Sequence, residues 1–333
     1  MPSKRSILLV GDIVEDSNCA LERPIFDEDN PSRSEVANLA GWITEAGYEV
    51  DVCESVCSFI ESGLSSRSLL VFPLWRGGAS RNRTAIVPAY CEARNIPYVG
   101  GDAYIQAVCQ DKSLSKILAN VVGISVPREL VLRSKDDLRS FTPSLYMHGP
   151  VVVKPLHSAC SIGVDESSLC HNDDLARQKA KNLFAAGLGP VVCEEFIEGE
   201  DVSLCFIENR GTIVKRCVGA FRGIDGNSPF YNRLFTFDDK MNMAPPWSIS
   251  VLPDTIVQSA WTLTENLIHR LGKVDIMRID GRLNEDGFVL IELTPDIHLA
   301  LESIFLGSFN AAGWPPAELL NFVIRSSIKN QRN

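Results

Sequence analysis

The 333 residues, 45% of them hydrophobic, carry 42 acidic and 32 basic side chains for a formal charge of −10, which argues against a nucleic-acid partner because binding a polyanion needs a basic footprint. No apolar run approaches the roughly 20 residues of a membrane span, and Met1-Pro2-Ser3-Lys4-Arg5 leads directly into a strand-like run too short for a signal peptide. Ten cysteines are scattered without disulfide spacing, and Cys53 and Cys57 lack a second pair at zinc distance, so reduced thiols and a cytoplasmic, membrane-free protein are expected.

In chain order, a strand at Ser6 to Val10, a polar loop to Arg33, a helix from Glu35 to Ala46 and a strand at Glu49 to Cys53 give β-loop-α-β. A strand at Ser68 to Phe72, a helix near Ala85 to Arg94 and a short strand at Pro97 to Val99 follow. Strands alternating with helices predict an open parallel sheet over residues 1–100. Beyond Gly100-Gly101 the pattern changes. A helix at Asp111 to Val122, strands near Glu129 to Leu132 and Val151 to Pro155, a helix at Asp173 to Ala186 and a strand at Val191 to Glu195 make a second unit, 101–193. The third, 194–330, holds a hairpin about Asn209-Arg210-Gly211, a long Gly/Asn/Pro-rich loop from Phe221 to Pro246, a helix at Asp254 to Leu271, strands at Val274 to Asp280 and Phe288 to Glu292, and a final helix from Pro316. A loop of that length is expected to be a functional lid or disordered. The class is α/β, turning to α+β in the C-terminal half.

Two acids stand where a core strand should not have them, Asp280 and Glu292. A buried carboxylate needs a cation. On neighbouring antiparallel strands the pair can hold Mg²⁺, a hard ion that prefers oxygen; two edge acids paired with Lys or Arg fit the spacing equally well. Lys154 ends an apolar strand before a turn with Ser158, Ser161 and Gly163, so it reads as a phosphate ligand or as an ordinary strand-ending lysine.

Order along the chain adds a family resemblance. Asn95-Ile96-Pro97-Tyr98-Val99-Gly100, Asp111-Lys112, Gly123-Ile124-Ser125-Val126-Pro127, Val151 to Pro155, Ser161-Ile162-Gly163, Glu194 to Gly199 and Arg278-Ile279-Asp280-Gly281-Arg282-Leu283, taken in sequence, resemble the D-alanyl-D-alanine ligase branch of the ATP-grasp superfamily from about Glu35 onward. The resemblance implies an ATP-grasp fold behind an N-terminal parallel-sheet domain, and a carboxylate activated as an acyl phosphate and joined to an amine. It implies that Lys112 and Lys154 hold the ATP phosphates, that Ser161 lies in the turn over the triphosphate, that Glu194, Glu195 and Ile197 form the hinge that faces adenine through backbone groups and the first acid, and that Asp201 binds ribose. Arg278 would stabilise the tetrahedral oxyanion, with Lys154 also among the catalytic groups, and Ser303 would help bind the acceptor's carboxylate. Asp280, Glu292 and, more weakly, Thr294 would ligate Mg²⁺, with Mn²⁺ able to replace it. Thr294 stands where the family has Asn, and Asp296 offers a substitute oxygen.

Other departures gather at the amino-acid end. Arg33 stands where the family has the acid that grips the first substrate's ammonium, and Leu74-Trp75-Arg76 replaces a histidine-led segment. The phosphate turn reads Ser158-Ala159-Cys160-Ser161, without the family's glycine, which predicts a stiffer loop. Tyr231 and Arg233 fall near a family Tyr and Lys. Amino-acid-like substrates are expected, with a donor other than D-alanine; Arg33 and Arg76 either suit a donor with an extra acid or one lacking a free amine, or are solvated loop charges. His298 is the one histidine placed to meet substrate, and Cys160 is an ordinary thiol. A hydroxyl, thiol or protein-borne nucleophile and a catalytically silent nucleotide binder are the competing readings. A homodimer is a compatible assembly.

Overall fold

The computed structural model describes residues 6–15, 30–64, 69–74, 78, 80–241, 246–295 and 297–331. Three parallel strands, β1 (Ser6–Val10), β2 (Glu49–Cys53) and β3 (Leu69–Pro73), pair in the order β2-β1-β3. The expected strand at Pro97 to Val99 contributes only a bridge, Val71 to Tyr98, at the edge of this sheet. Helix α1 (Arg33–Glu45) crosses between β1 and β2 and buries Val36, Leu39 and Ile43, the stripe set by i, i+3 and i+7 spacing. It starts two residues before the expected Glu35 because Ser32 and Glu35 form a capping box, with Glu35 N donating to Ser32 Oγ at 3.3 Å and Ser32 N to Glu35 Oε2 at 2.7 Å. Helices α2 (Val56–Glu61) and α3 (Ile86–Arg94) complete this layer.

After Gly100 come two helices rather than one. Asp102 caps α4 (Ala103–Gln110) through Ile105 N at 2.9 Å. Asp111 caps α5 (Lys112–Val121) through Ser113 N and Leu114 N. The chain then builds a four-stranded sheet of order β4-β7-β5-β6 from β4 (Glu129–Leu132), β5 (Val151–Pro155), β6 (Leu169–Cys170) and β7 (Val191–Glu195), covered by α6 (Asp173–Ala185). All five β5 residues are buried, as a central strand requires.

The hairpin is longer than expected, β8 (Glu200–Asn209) and β9 (Thr212–Gly223). After α7 (Phe237–Met241) and β10 (Trp247–Leu252), α8 (Gln258–Leu271) packs on an antiparallel sheet ordered β10-β9-β8-β11-β12, completed by β11 (Ile276–Asn284) and β12 (Gly287–Thr294). Two helices, α9 (Ile304–Ala311) and α10 (Pro316–Asn330), close the chain.

Packing groups these pieces differently from the expected 1–100, 101–193 and 194–330. One core joins Ile7, Leu9 and Leu70 to Phe305, Phe309 and Ile324 and on to Cys205, Ile207 and Cys217 of the five-stranded sheet, so the C-terminal helices lie between the two sheets. Ile105, Ala119 and Ile124 join Leu204, Trp261 and Leu290 beneath the five-stranded sheet. The core of the four-stranded sheet begins only near Leu132. The nine cysteines among the described residues are all free thiols, and no described helix is long and apolar enough to cross a membrane.

Candidate active site

Strand alternation sets the metal face. Across β11 and its neighbours, Asp280 lies opposite Glu292 and Ser203, and Arg278 opposite Thr294 and Cys205. Opposed residues and their i+2 neighbours share a face, so Ser203, Arg278, Asp280, Glu292 and Thr294 project together while Leu204, Ile279 and Leu293 turn into the core. A bulge after Asp280 resets the register, and a Cβ on Gly281 would lie 2.5 Å from the Val289 carbonyl oxygen, so only glycine fits there. Both acids have cationic partners. Arg278 Nε donates to Asp280, 2.7 Å from Oδ1, Ser203 Oγ donates to Oδ1 at 2.6 Å, and Thr294 Oγ1 to Oδ2 at 3.2 Å. Glu292 meets Lys112 Nζ at 2.9 Å. Burial pushes Glu292 up, but the Lys112 and Lys154 ammoniums outweigh it and hold the carboxyl below its ordinary value. Burial opposes the charge on Arg278, yet Asp280 keeps it firmly protonated. No cluster of three or more His, Cys, Asp or Glu side chains stands at metal distance among the described residues, so an ion held by Asp280 and Glu292 would need phosphate oxygens to fill its shell, as suits Mg²⁺. Thr294's hydroxyl is turned to Asp280, and Asp296 lies outside the described residues.

On the four-stranded sheet, Lys154 stands opposite Val192 and Glu194 opposite Val152, which places Lys154 and Glu194 diagonally on one face. The Glu194 carboxylate binds Lys154 through one oxygen and Lys116 of α5 through the other. Burial would raise Glu194, but the two ammoniums hold it at about 2. Burial lowers Lys154, with Glu194 resisting. The side chain of Glu194 is 2% exposed, and both its carboxylate oxygens are engaged by lysines. Glu195 is bound by Arg128, whose Nε donates to Oε1 at 2.7 Å, and next to Ile197 the Phe196 N–H donates to the Pro150 carbonyl at 3.0 Å. Lys116 was not singled out in the sequence; its i+4 spacing from Lys112 on a capped helix was the available signal.

Asp201 Oδ1 accepts from Arg282 Nε at 3.1 Å while Oδ2 has no hydrogen-bond partner among the described residues. Burial pushes its carboxyl up to about 6, against the pull of Arg282. Arg282 also donates to the carbonyls of Gly199 at 3.0 Å and Arg233 at 2.9 Å, tying the hinge to the long loop. Tyr231 is bound there through its carbonyl, which accepts from Gly199 N at 3.1 Å, and Arg233 pairs with Asp239 at 2.7 Å.

In the phosphate turn the left-handed residues are Cys160 (φ 52°) and Ser161 (φ 57°). Ala159 is not left-handed, so the missing family glycine costs no strain at its own position. Ser161 Oγ donates to the Phe235 carbonyl at 3.1 Å, docking the turn on the long loop.

At the amino-acid end, the Arg33 guanidinium is held by both Glu15, at 2.8 Å, and Glu54, at 2.7 Å. Its charge is spent on those two acids and does not await a third, contrary to one of the expected readings; Arg76 lies outside the described residues. His298 Nε2 bonds Glu35 Oε1. Ser303, the N-cap residue of α9, donates through Oγ to the His298 and Ala300 carbonyls, each at 2.7 Å.

A family model described as D-ala D-ala ligase C-terminus matches residues 118–325. Among curated relatives, the D-alanine–D-alanine ligase of Corynebacterium efficiens is 25% identical over 83% of this chain and 74% of its own. An uncharacterised protein, y4sG of Sinorhizobium fredii, is 26% identical over 85% and 84%. The fold matches the Bacillus anthracis D-alanine–D-alanine ligase complexed with ATP, with TM-score 0.69 at 18% identity over 98% of this chain and 97% of that one. It also matches the Enterococcus faecalis VanG D-Ala:D-Ser ligase, with TM-score 0.67 at 15% identity over 97% and 99%. The chain belongs to the D-alanine–D-alanine ligase branch of the ATP-grasp enzymes, ADP-forming carbon–nitrogen ligases that use ATP and Mg²⁺.

Proposed function

We propose that this ligase joins a donor carboxylate other than that of D-alanine to an amino-acid-like amine, in a specialised biosynthetic role. The donor carboxylate oxygen attacks the γ-phosphorus and ADP leaves; the acceptor nitrogen then attacks the acyl carbon and phosphate departs. The chain's own groups are placed for charge. Lys112 and Lys154 meet phosphate oxygens, and Arg278, held in orientation by Asp280, meets the oxyanion of the second step. Asp280 and Glu292 would hold Mg²⁺, which would supply further charge neutralisation on the phosphoryl oxygens. The acceptor amine needs only positioning and loss of a proton.

The observation that carries the reading is the exchange at the donor end. Arg33 and Leu74 stand where the resemblance expects an acid and a histidine, and Arg33 is locked to Glu15 and Glu54 instead of facing substrate. A free ammonium there would meet neither of the expected partners. Purified protein incubated with ATP, Mg²⁺ and pools of carboxylates and amines should release ADP only with a matching pair, and the product mass distinguishes amide from ester. Efficient synthesis of D-alanyl-D-alanine from D-alanine alone would sink the proposal.

A further inference from the structure

One buried cation joins the five-stranded sheet to the long loop. Arg282 stands opposite Asp201 as Asp280 stands opposite Ser203, so it projects from the metal face one pleat beyond Asp280. It is 6% exposed. Its Nε lies 3.1 Å from Asp201 Oδ1, one terminal nitrogen donates to the carbonyls of Gly199, at 3.0 Å, and Phe230, and the other to the carbonyl of Arg233 at 2.9 Å. Burying a guanidinium costs desolvation unless its N–H groups are bonded. Here carbonyls of the hinge and of the long loop supply most of those bonds, so both backbones are fixed to the sheet and to each other.

The far side of the same loop is tied to the other sheet's turn. The Phe237 N–H donates to the Val164 carbonyl at 3.1 Å, and Ser161 Oγ of the phosphate turn to the Phe235 carbonyl at 3.1 Å. Between these anchors and Arg282 the loop has its own core: Phe230 is fully buried, with its ring 4.7 Å from Phe235, 5.1 Å from Trp247 and 5.9 Å from Phe221. A segment held by Arg282 on one side and by Ser161 and Val164 on the other spans the space between Asp280 and Lys154. Burial pushes the Asp201 and Glu292 carboxyls up, and at both the Lys240 ammonium of α7 is among the cations that pull them down, so the end of the loop faces the same acids.

Resting on the ligase reading above, we propose that Arg282 is a positioning residue that pins residues 230–237 across the active site and so keeps water from the acyl phosphate until the acceptor amine attacks. Water reaching the acyl carbon would take the amine's place, breaking the same carbon–oxygen bond to release phosphate and return the donor carboxylate, so that ADP forms without product. Arg282→Met keeps an unbranched stem and removes every donor. Arg282→Lys keeps the charge but loses the planar fork that serves three carbonyls at once. The full-length proteins are assayed with Mg²⁺, saturating ATP and a carboxylate–amine pair that the parent turns over, and ADP and amide are counted separately. The parent should release about one ADP per amide, Arg282→Met about fivefold more, and Arg282→Lys an intermediate amount. Trypsin should cut after Arg233 about tenfold faster in Arg282→Met, with the rest of the chain as resistant as in the parent. Lower thermal stability beside the parent ratio of ADP to amide would assign Arg282 to folding alone and overturn the proposal, as would a loop cut at the parent rate. Hydrogen exchange on the unmodified protein decides the pinning even if both variants fail to fold: amides of 230–237 should exchange at least about 100-fold more slowly than in an unstructured peptide, and exchange at the unstructured rate overturns it. No ADP release with any carboxylate–amine pair would overturn the ligase reading and the water-excluding role with it, whereas a parent ratio in Arg282→Met overturns that role alone.

Discussion

The phosphate end and the amino-acid end of this molecule are wired differently. At the phosphate end, Lys112, Lys116 and Lys154 converge on Glu194 and Glu292, all held on helices and strands with little exposure. At the amino-acid end, Arg33, Glu15 and Glu54 form an exposed cluster on a loop and a helix start. Removing one partner of a buried charge pair leaves the other desolvated and unpaired, whereas an exposed pair can be exchanged at little cost.

The contrast can be broken most severely at the metal face. Asp280→Asn should lower kcat by about 100- to 1,000-fold, because the side chain both orients Arg278 and supplies charge where it develops; ADP release measured beside an unchanged circular dichroism spectrum checks it. Next comes Glu194→Gln. It leaves Lys116 and Lys154 buried without their shared carboxylate, and should cost about 3–5 kcal/mol of stability, read as a fall in the denaturant midpoint.

Asp201 gives a pH test. Its carboxyl is raised from the ordinary 3.8 to about 6, so the folded state holds a proton that the unfolded state has lost. The stability this contributes is present below about pH 4 and lost as pH rises through about 6. Ribose binding runs the other way, since the ionised acid accepts hydroxyl hydrogens more strongly. The KM for ATP should therefore rise as pH falls below about 6, and the Asp201→Asn protein should lose that dependence. The smallest effect is expected from Arg33→Ala. If the exposed Arg33 cluster is separate from the substrate, donor selectivity and kcat/KM stay at the parent level; a selectivity change in a substrate panel would join the two regions again.

Much of the phosphate end was legible in the sequence because each group sits at a fixed place in a local pattern. Asp111-Lys112 is a helix cap and first residue, Val151 to Lys154 a buried strand with a lysine at its end, and Asp280 and Glu292 face each other once β11 and β12 pair in antiparallel register. Lys116 and α4 were missed although spacing and the Asp102 cap signalled them, α7 lies in the stretch read as loop, and β10 follows it in residues given no element.

By itself the sequence determined the alternation of elements, the capped helix starts and the chemical types along each strand, since period, capping and turn chemistry act over a few residues. Only the tertiary structure decided that Glu194's carboxylate is shared by Lys116 and Lys154, and that Arg33 is paired with Glu15 and Glu54. Those outcomes depend on which distant charges and surfaces burial brings together, and electrostatic pairing and cavity shape have no period that a sequence can display.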